Sequence, residues 1–201
     1  MHISEGMISL PLCIGGYTVA AGLVALALKK TKPKDIPKIS VMGACFFVAS
    51  LIHIKVGGTS QHLAFIGLVG LVLGFGSVLA ITIGLFFQAM MFQHGGLSTL
   101  GLNICIMAVP ALLCHLLFLL LIKRGTYLSL WGGVLASFSY FCAISLVALV
   151  LLLSANQFKG LVLYLTISQG VLAFLEGIIT YLILSQILRI KPELISGINL
   201  E

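Results

Sequence analysis

The chain has 201 residues, of which 60% are hydrophobic and only 8% are charged. Soluble domains carry roughly 25% charged residues, so this composition excludes an ordinary water-soluble protein and indicates several membrane spans. The net charge of +6 does not indicate nucleic-acid binding, because the basic residues lie in short connections rather than along one polar face. We therefore predict an all-α, polytopic integral membrane protein with a single membrane-embedded domain over residues 1–201.

Seven apolar runs follow one another along the chain, and each predicts a transmembrane helix. They cover residues 8–28, 39–54, 63–74, 77–93, 102–122, 128–153 and 160–190. Without a break at residues 74–77, the third and fourth runs would form one helix roughly 46 Å long, too long for a bilayer core of about 30 Å. The third run is short, so we expect a partial helix that is buried against its neighbours.

The basic residues predict how these spans are oriented. With seven spans, nine lysines and arginines fall on one side of the membrane and two on the other, as the positive-inside rule expects. The nine are Lys29, Lys30, Lys32, Lys34, Lys38, Lys123, Arg124, Arg189 and Lys191, and the two are Lys55 and Lys159. The amino terminus is therefore predicted outside and the carboxyl terminus in the cytoplasm. The loops around residues 55–62 and 94–101 then share the outer face with the amino terminus.

The first two residues offer a metal ion three nitrogens in a row. These are the α-amine of Met1, the backbone nitrogen of His2 and Nδ1 of His2. When they bind an ion, these nitrogens close a five-membered and a six-membered chelate ring and leave one position of a square plane open. Square-planar nitrogen coordination is typical of Ni(II) or Cu(II). We expect Met1 to be retained because histidine is a large second residue, and residues 1–7 lack the basic region of a secretory signal.

Several motifs resemble those of a known family in the same order and spacing. They are residues 1–6 (MHISEG), 58–63 (GTSQHL), Gln88, 94–103 (HGGLSTLGLN) and 176–177 (EG). Essentially end to end, the chain is similar to the CbiM/NikM group, the cobalt- and nickel-specific substrate-capture subunits of energy-coupling-factor transporters. The resemblance implies a seven-helix protein whose amino-terminal segment tucks into its own core.

The resemblance also implies a ligand set for Ni(II) or Co(II) as the transported substrate, although the residues do not separate the two metals. The ion would be held by the Met1 amine, the His2 backbone nitrogen and imidazole, and the imidazole of His62. No organic cofactor is expected.

Three further side chains are candidates for orienting these ligands by hydrogen bonds, because metal-bound histidines need their other ring nitrogen held. They are His94, Asn103 and Gln88. The alternatives are a loop cap for the first two and a helix–backbone hydrogen bond for Gln88.

The expected partners are a transmembrane coupling subunit, cytoplasmic ATPase subunits and a small accessory membrane subunit, all at the lipid bilayer of a prokaryotic cell membrane. The sequence has no GxxxxGK[ST] phosphate-binding motif, so we expect ATP hydrolysis in a separate polypeptide rather than enzymatic activity here.

Two other hypotheses remain open. One is a membrane-embedded metal-dependent enzyme that uses His53, His94 and His115, although His53 and His115 are otherwise expected to be packed polar contacts. The other is a stand-alone channel or secondary transporter, which no inverted-repeat symmetry supports. Glu176 is the only acid inside a predicted span, and we expect it to form a structural hydrogen bond rather than to bind the ion.

Overall fold

The computed structural model describes residues 2–56, 59–122, 127–154 and 159–198. The α-helices in these ranges are Leu10–Lys30 (α1), Ile36–Ala49 (α2), Ile66–Leu73 (α3), Gly76–Phe92 (α4), Leu100–Ile122 (α5), Leu128–Ser154 (α6) and Lys159–Ile190 (α7). Two short strands, His53–Val56 (β1) and Thr59–His62 (β2), form an antiparallel hairpin between α2 and α3. Each predicted apolar run therefore contains one helix, and the prediction of seven helices is confirmed.

The helices differ in whether they are long enough to cross a membrane. Four have the length and composition of a span: Leu10–Lys30, Leu100–Ile122, Leu128–Ser154 and Val162–Ile190. Gly76–Phe92 is apolar but shorter. With 14 and 8 residues, α2 and α3 extend only about 21 Å and 12 Å, less than a bilayer core of about 30 Å. The described part of the chain thus has four to five candidate spans among its seven helices.

The predicted end of the second helix is wrong. Helix α2 ends at Ala49 rather than at residue 54, and residues 53–56 form strand β1 instead. The backbone of this short segment is paired with β2, and His53 lies directly opposite His62. The predicted outer loop around residues 55–62 is therefore part of a hairpin.

Helix α3 is the buried partial helix that the sequence predicts. All eight of its residues are buried. Gly67 and Gly70 allow this close packing, because a Cβ on Gly67 would collide with Ala136 of α6 and a Cβ on Gly70 with the carbonyl of Ala111 of α5. The main hydrophobic core surrounds α3 and includes side chains from all seven helices. The hairpin that precedes α3 is consequently attached to a fully buried helix of the main core.

Candidate metal centre

The first described residues of the chain are held against the amino-terminal end of α5. The side-chain amide of Asn103 accepts a hydrogen bond from the N–H of Ile3 at 2.9 Å and donates one to the Ile3 carbonyl at 3.1 Å. Thr99 Oγ1 donates to the same carbonyl at 2.8 Å. Ile3 is 2% exposed and belongs to the main core. The amino-terminal segment is therefore tucked into the protein at Ile3, while Met1 lies outside the described residues.

A pair of glycines after α4 makes room for this segment. Gly95 and Gly96 have φ values of +86° and +102°, which favour glycine. A Cβ on Gly95 would lie 2.6 Å from Nδ2 of Asn103 and 3.4 Å from Cβ of His2, and a Cβ on Gly96 would collide with the side chain of Glu5. The HGG motif thus allows the loop backbone to lie directly against the amino-terminal segment.

His62 is the last residue of β2, and it keeps one ring nitrogen free. Its Nδ1 lies 3.1 Å from the carbonyl oxygen of Leu63. A carbonyl only accepts, so Nδ1 carries the proton and Nε2 keeps its lone pair. His62 Nε2 is buried and has no hydrogen-bond partner among the described residues. This arrangement, one nitrogen held by a carbonyl and the other open, is typical of a metal-binding histidine.

His2 lies next to His62. The two ring centroids are 4.8 Å apart and the ring planes differ by 20°. Both ring nitrogens of His2 are buried, and no described residue forms a hydrogen bond with either. Buried polar atoms are normally paired, so unpaired nitrogens on two adjacent rings fit a site that binds a metal ion.

His94 and His53 bring the number of clustered histidines to four. The ring of His94 lies 6.1 Å from that of His2 and 6.5 Å from that of His62, and it stacks on them at 23° and 4°. The ring of His53 lies 5.9 Å from His62 and 5.6 Å from His94. The described contacts of His94 with His2 and His62 are ring contacts rather than hydrogen bonds, so its predicted orienting role stays a prediction. The sequence alone indicates no role in metal binding for His53 beyond the enzyme hypothesis.

The remaining two candidate side chains differ in what they contact. Asn103 holds Ile3, the residue next to His2. Gln88 is fully buried on α4, and its backbone carbonyl accepts a hydrogen bond from the N–H of His94 at 3.2 Å. No described residue forms a hydrogen bond with the side-chain amide of Gln88. Its predicted role as an orienting group therefore stays a prediction.

Burial keeps the inner imidazoles neutral. It lowers the pKa of His2 well below 6.5 and the pKa of His62 to about 3, and the neighbouring histidines act in the same direction. Burial also lowers the pKa of His94. Because a metal ion binds the neutral imidazole, His2 and His62 are in the binding form at neutral and mildly acidic pH.

Glu176 supports the hairpin rather than the cluster. Its Oε1 accepts hydrogen bonds from the backbone N–H groups of Ala64 and Phe65, the second at 3.0 Å. These bonds hold the backbone just after His62, where Phe65 has a φ of +48° and immediately precedes α3. The expected structural hydrogen bond of Glu176 is confirmed.

His115 is separated from the other histidines. It follows Asn103 by more than three turns of α5, about 18 Å along the helix axis. Its ring lies near Phe75, with centroids 6.4 Å apart. The structure thus brings together His53 and His94 but not the third histidine of the enzyme hypothesis.

Side chains alone do not form a complete metal site in the described part of the chain. Within residues 2–56, 59–122, 127–154 and 159–198, no group of three His, Cys, Asp or Glu side chains is placed to hold a metal ion. A site on His2 and His62 would therefore need backbone or terminal nitrogens as further ligands, which is compatible with their position beside the amino terminus.

The chain is similar to known proteins over nearly its whole length. Residues 2–194 match a family model described as CbiM, cobalt uptake substrate-specific transmembrane region. A protein of Haemophilus influenzae named for metal transport is 31% identical over 203 residues, which cover 98% of this chain and 97% of that protein. A protein of Methanocorpusculum labreanum, named as a fused cobalt transport protein CbiMQ, is 30% identical over 227 residues, which cover all of this chain and 37% of the fusion.

The fold is also that of a solved structure. The crystal structure of a truncated transition metal transporter superposes with a TM-score of 0.82 over 94% of this chain and 99% of that one, at 22% identity. Sequence and fold thus agree, and the resemblance noted from the motifs is confirmed. This chain belongs to the CbiM family of cobalt uptake substrate-specific transmembrane regions and is a multi-pass membrane transporter component.

Proposed function

We propose that the chain is the substrate-capture subunit of an energy-coupling-factor transporter and that the ion it captures is Ni(II) or Co(II). The observation that carries the proposal is the stacked pair of His2 and His62, in which both ring nitrogens of His2 and Nε2 of His62 are buried without a hydrogen-bond partner among the described residues. Residues 1–201 act together as one membrane-embedded binding domain.

The proposed ligands are four nitrogens in one plane. The Met1 α-amine, the His2 backbone nitrogen and His2 Nδ1 form two fused chelate rings, and His62 Nε2 fills the fourth position. The hydrogen bond of His62 Nδ1 with the Leu63 carbonyl supports Nε2 as the ligand atom. Planar nitrogen coordination suits Ni(II), and binding releases protons from the amine and the backbone amide.

The proposed orientation places the amino terminus outside and the carboxyl terminus in the cytoplasm of a prokaryotic cell membrane. All seven helices lie in the bilayer, with the short α2 and α3 packed against longer neighbours. Lys29 and Lys30 in the last turn of α1, and Arg189 in the last turn of α7, then anchor the inner side.

We also propose that other polypeptides supply the energy for uptake. The sequence has no P-loop motif. The match to part of a longer fused cobalt transport protein supports association with a transmembrane coupling subunit. Cytoplasmic ATPase subunits and a small accessory membrane subunit complete the proposed assembly, and neither nucleic acid nor an organic cofactor takes part.

The ligand set can be tested with purified full-length protein. Metal-free protein is loaded with Ni(II) or, separately, with Co(II). The bound metal and the absorption spectrum of the Ni(II) form are compared with those of His2→Ala, His62→Ala and the control His115→Asn. We expect one planar, low-spin d⁸ ion per chain in the unmodified protein and in the control, and its loss in the other two variants. Planar absorption that persists in either of those variants would contradict the ligand set, and failure of the unmodified protein to bind either metal would contradict the function.

A further inference from the structure

Two of the four clustered histidines, His53 and His94, are more exposed than His62. His53 is exposed and His94 is half-exposed, whereas His62 is buried. The rings of His53 and His94 are 5.6 Å apart at an angle of 67°. Each also neighbours the inner pair, because His53 lies 5.9 Å from His62 and His94 lies 6.1 Å from His2. Exposure within the cluster thus decreases from His53 through His94 to the buried His62.

The outer rings have nitrogens available for a ligand. His53 Nδ1 lies 3.0 Å from the Leu51 carbonyl, so Nδ1 carries the proton and Nε2 keeps its lone pair. His94 Nδ1 is buried and has no hydrogen-bond partner among the described residues. A metal ion lies about 2 Å from a ligating imidazole nitrogen and therefore about 3 Å from the ring centroid. Two rings on one ion can thus have centroids up to roughly 6 Å apart, which includes the observed separation.

We propose that His53 and His94 form a second, outer site for a divalent transition-metal ion, which the ion occupies before it reaches the buried nitrogens. Each imidazole replaces one water of the hydrated ion, and the ion remains divalent. Its other positions keep water, because no third His, Cys, Asp or Glu side chain of the described residues completes a site there. Two imidazoles and exchangeable water hold an ion weakly, so it can move on to a site with more ligands.

The order of occupancy rests on the proposed function, since it assumes that the buried nitrogens are the destination. The existence of the outer site does not rest on the proposed function. It is tested in a protein from which the inner imidazoles have been removed, so that failure of the planar inner site and failure of the outer site give different results.

The starting protein is the full chain with His2→Ala and His62→Ala, checked for folding by size-exclusion chromatography and circular dichroism in detergent. Equilibrium dialysis against millimolar Ni(II) counts the bound ions. We expect one weakly bound ion per chain, lost when His53→Ala or His94→Ala is added and kept when His115→Asn is added. Absence of this ion, or its persistence without His53 and His94, would overturn the proposal.

A second measurement covers the case in which the double variant does not fold. The otherwise unmodified chain is titrated with Ni(II), with and without His53→Ala. We expect two bound ions per chain at high Ni(II), a tight one and a weak one, and loss of the weak one in the variant. In stopped-flow experiments the variant should also fill the tight site at least several-fold more slowly. Equal stoichiometry with and without His53→Ala would overturn the outer site.

Discussion

The side-chain amide of Asn103 is hydrogen-bonded to both the N–H and the carbonyl of Ile3, at 2.9 Å and 3.1 Å. This pairing fixes the position of His2, the preceding residue, although Asn103 itself lies at the start of a different helix. The metal centre therefore depends on an attachment between the amino-terminal segment and α5.

We expect Asn103→Ala to release the amino-terminal segment. Loss of two buried hydrogen bonds costs about 1–3 kcal/mol, so Ni(II) affinity should fall by roughly 5- to 150-fold. Hydrogen exchange of residues 2–6 should increase in the metal-free variant. The control is Gln186→Ala, which removes an exposed amide from the far part of α7. Unchanged affinity in Asn103→Ala would show that the segment is held by other contacts.

The glycines of the HGG motif should not tolerate a side chain. Gly95 and Gly96 have positive φ values, and a Cβ at either position meets Asn103 or Glu5. We expect Gly95→Ala and Gly96→Ala each to cost more than about 1 kcal/mol of stability and to weaken Ni(II) binding. Thermal unfolding in detergent measures the first effect. Gly22→Ala, on an open face of α1, is the matched control and should be neutral or slightly stabilising.

Acid should destabilise the metal-free protein through its inner histidines. Burial lowers the pKa of His62 from 6.5 to about 3 and lowers that of His2 in the same direction. Between these pH values the unfolded chain takes up protons that the folded chain does not, so the free energy of unfolding falls as the pH drops below about 6.5. The unfolding midpoint of the unmodified protein should fall more steeply with decreasing pH than that of His62→Asn, because the variant lacks one of the buried histidines. The two midpoints should therefore converge at low pH. Parallel curves would contradict the prediction.

Glu176 should be replaceable by an amide but not by an apolar side chain. Its carboxylate is 1% exposed and accepts from Ala64 and Phe65. Glu176→Gln keeps an accepting oxygen, so its stability should change by less than about 1 kcal/mol. Glu176→Leu leaves two buried N–H groups unpaired and should cost roughly 2–5 kcal/mol. Loss of Ni(II) binding in a folded Glu176→Gln protein would instead indicate that the carboxylate binds the ion.

The sequence predicts the helices well because apolar runs of this length leave the backbone few alternatives in a membrane. The hairpin was missed because its strands have only four residues each and follow α2 closely, so His53 was assigned to the end of that helix. Val56 pairs with Thr59, and the two glycines between them are a hairpin signal that periodicity over a long window does not detect. In the register of this hairpin, His53 pairs with His62.

The metal centre could be predicted only in part for a similar reason. His2 and His62 follow from the motifs, and the structure brings their rings together. The attachment of Ile3 by Asn103 joins residues a hundred positions apart, and no local pattern predicts such a contact. The proximity of His53 to His94 likewise depends on how the hairpin packs against the loop after α4.

The most direct test of the account is to move the α-amine away from His2. Two glycines are added before Met1, because a single added residue would make the histidine third and allow a different planar set of nitrogens. The control carries two glycines after Glu201. We predict that the control binds one Ni(II) with planar d⁸ absorption and that the chain extended at its amino terminus loses this absorption and most of its affinity. Equal spectra and equal affinities for the two extended chains would contradict a site built on the Met1 amine.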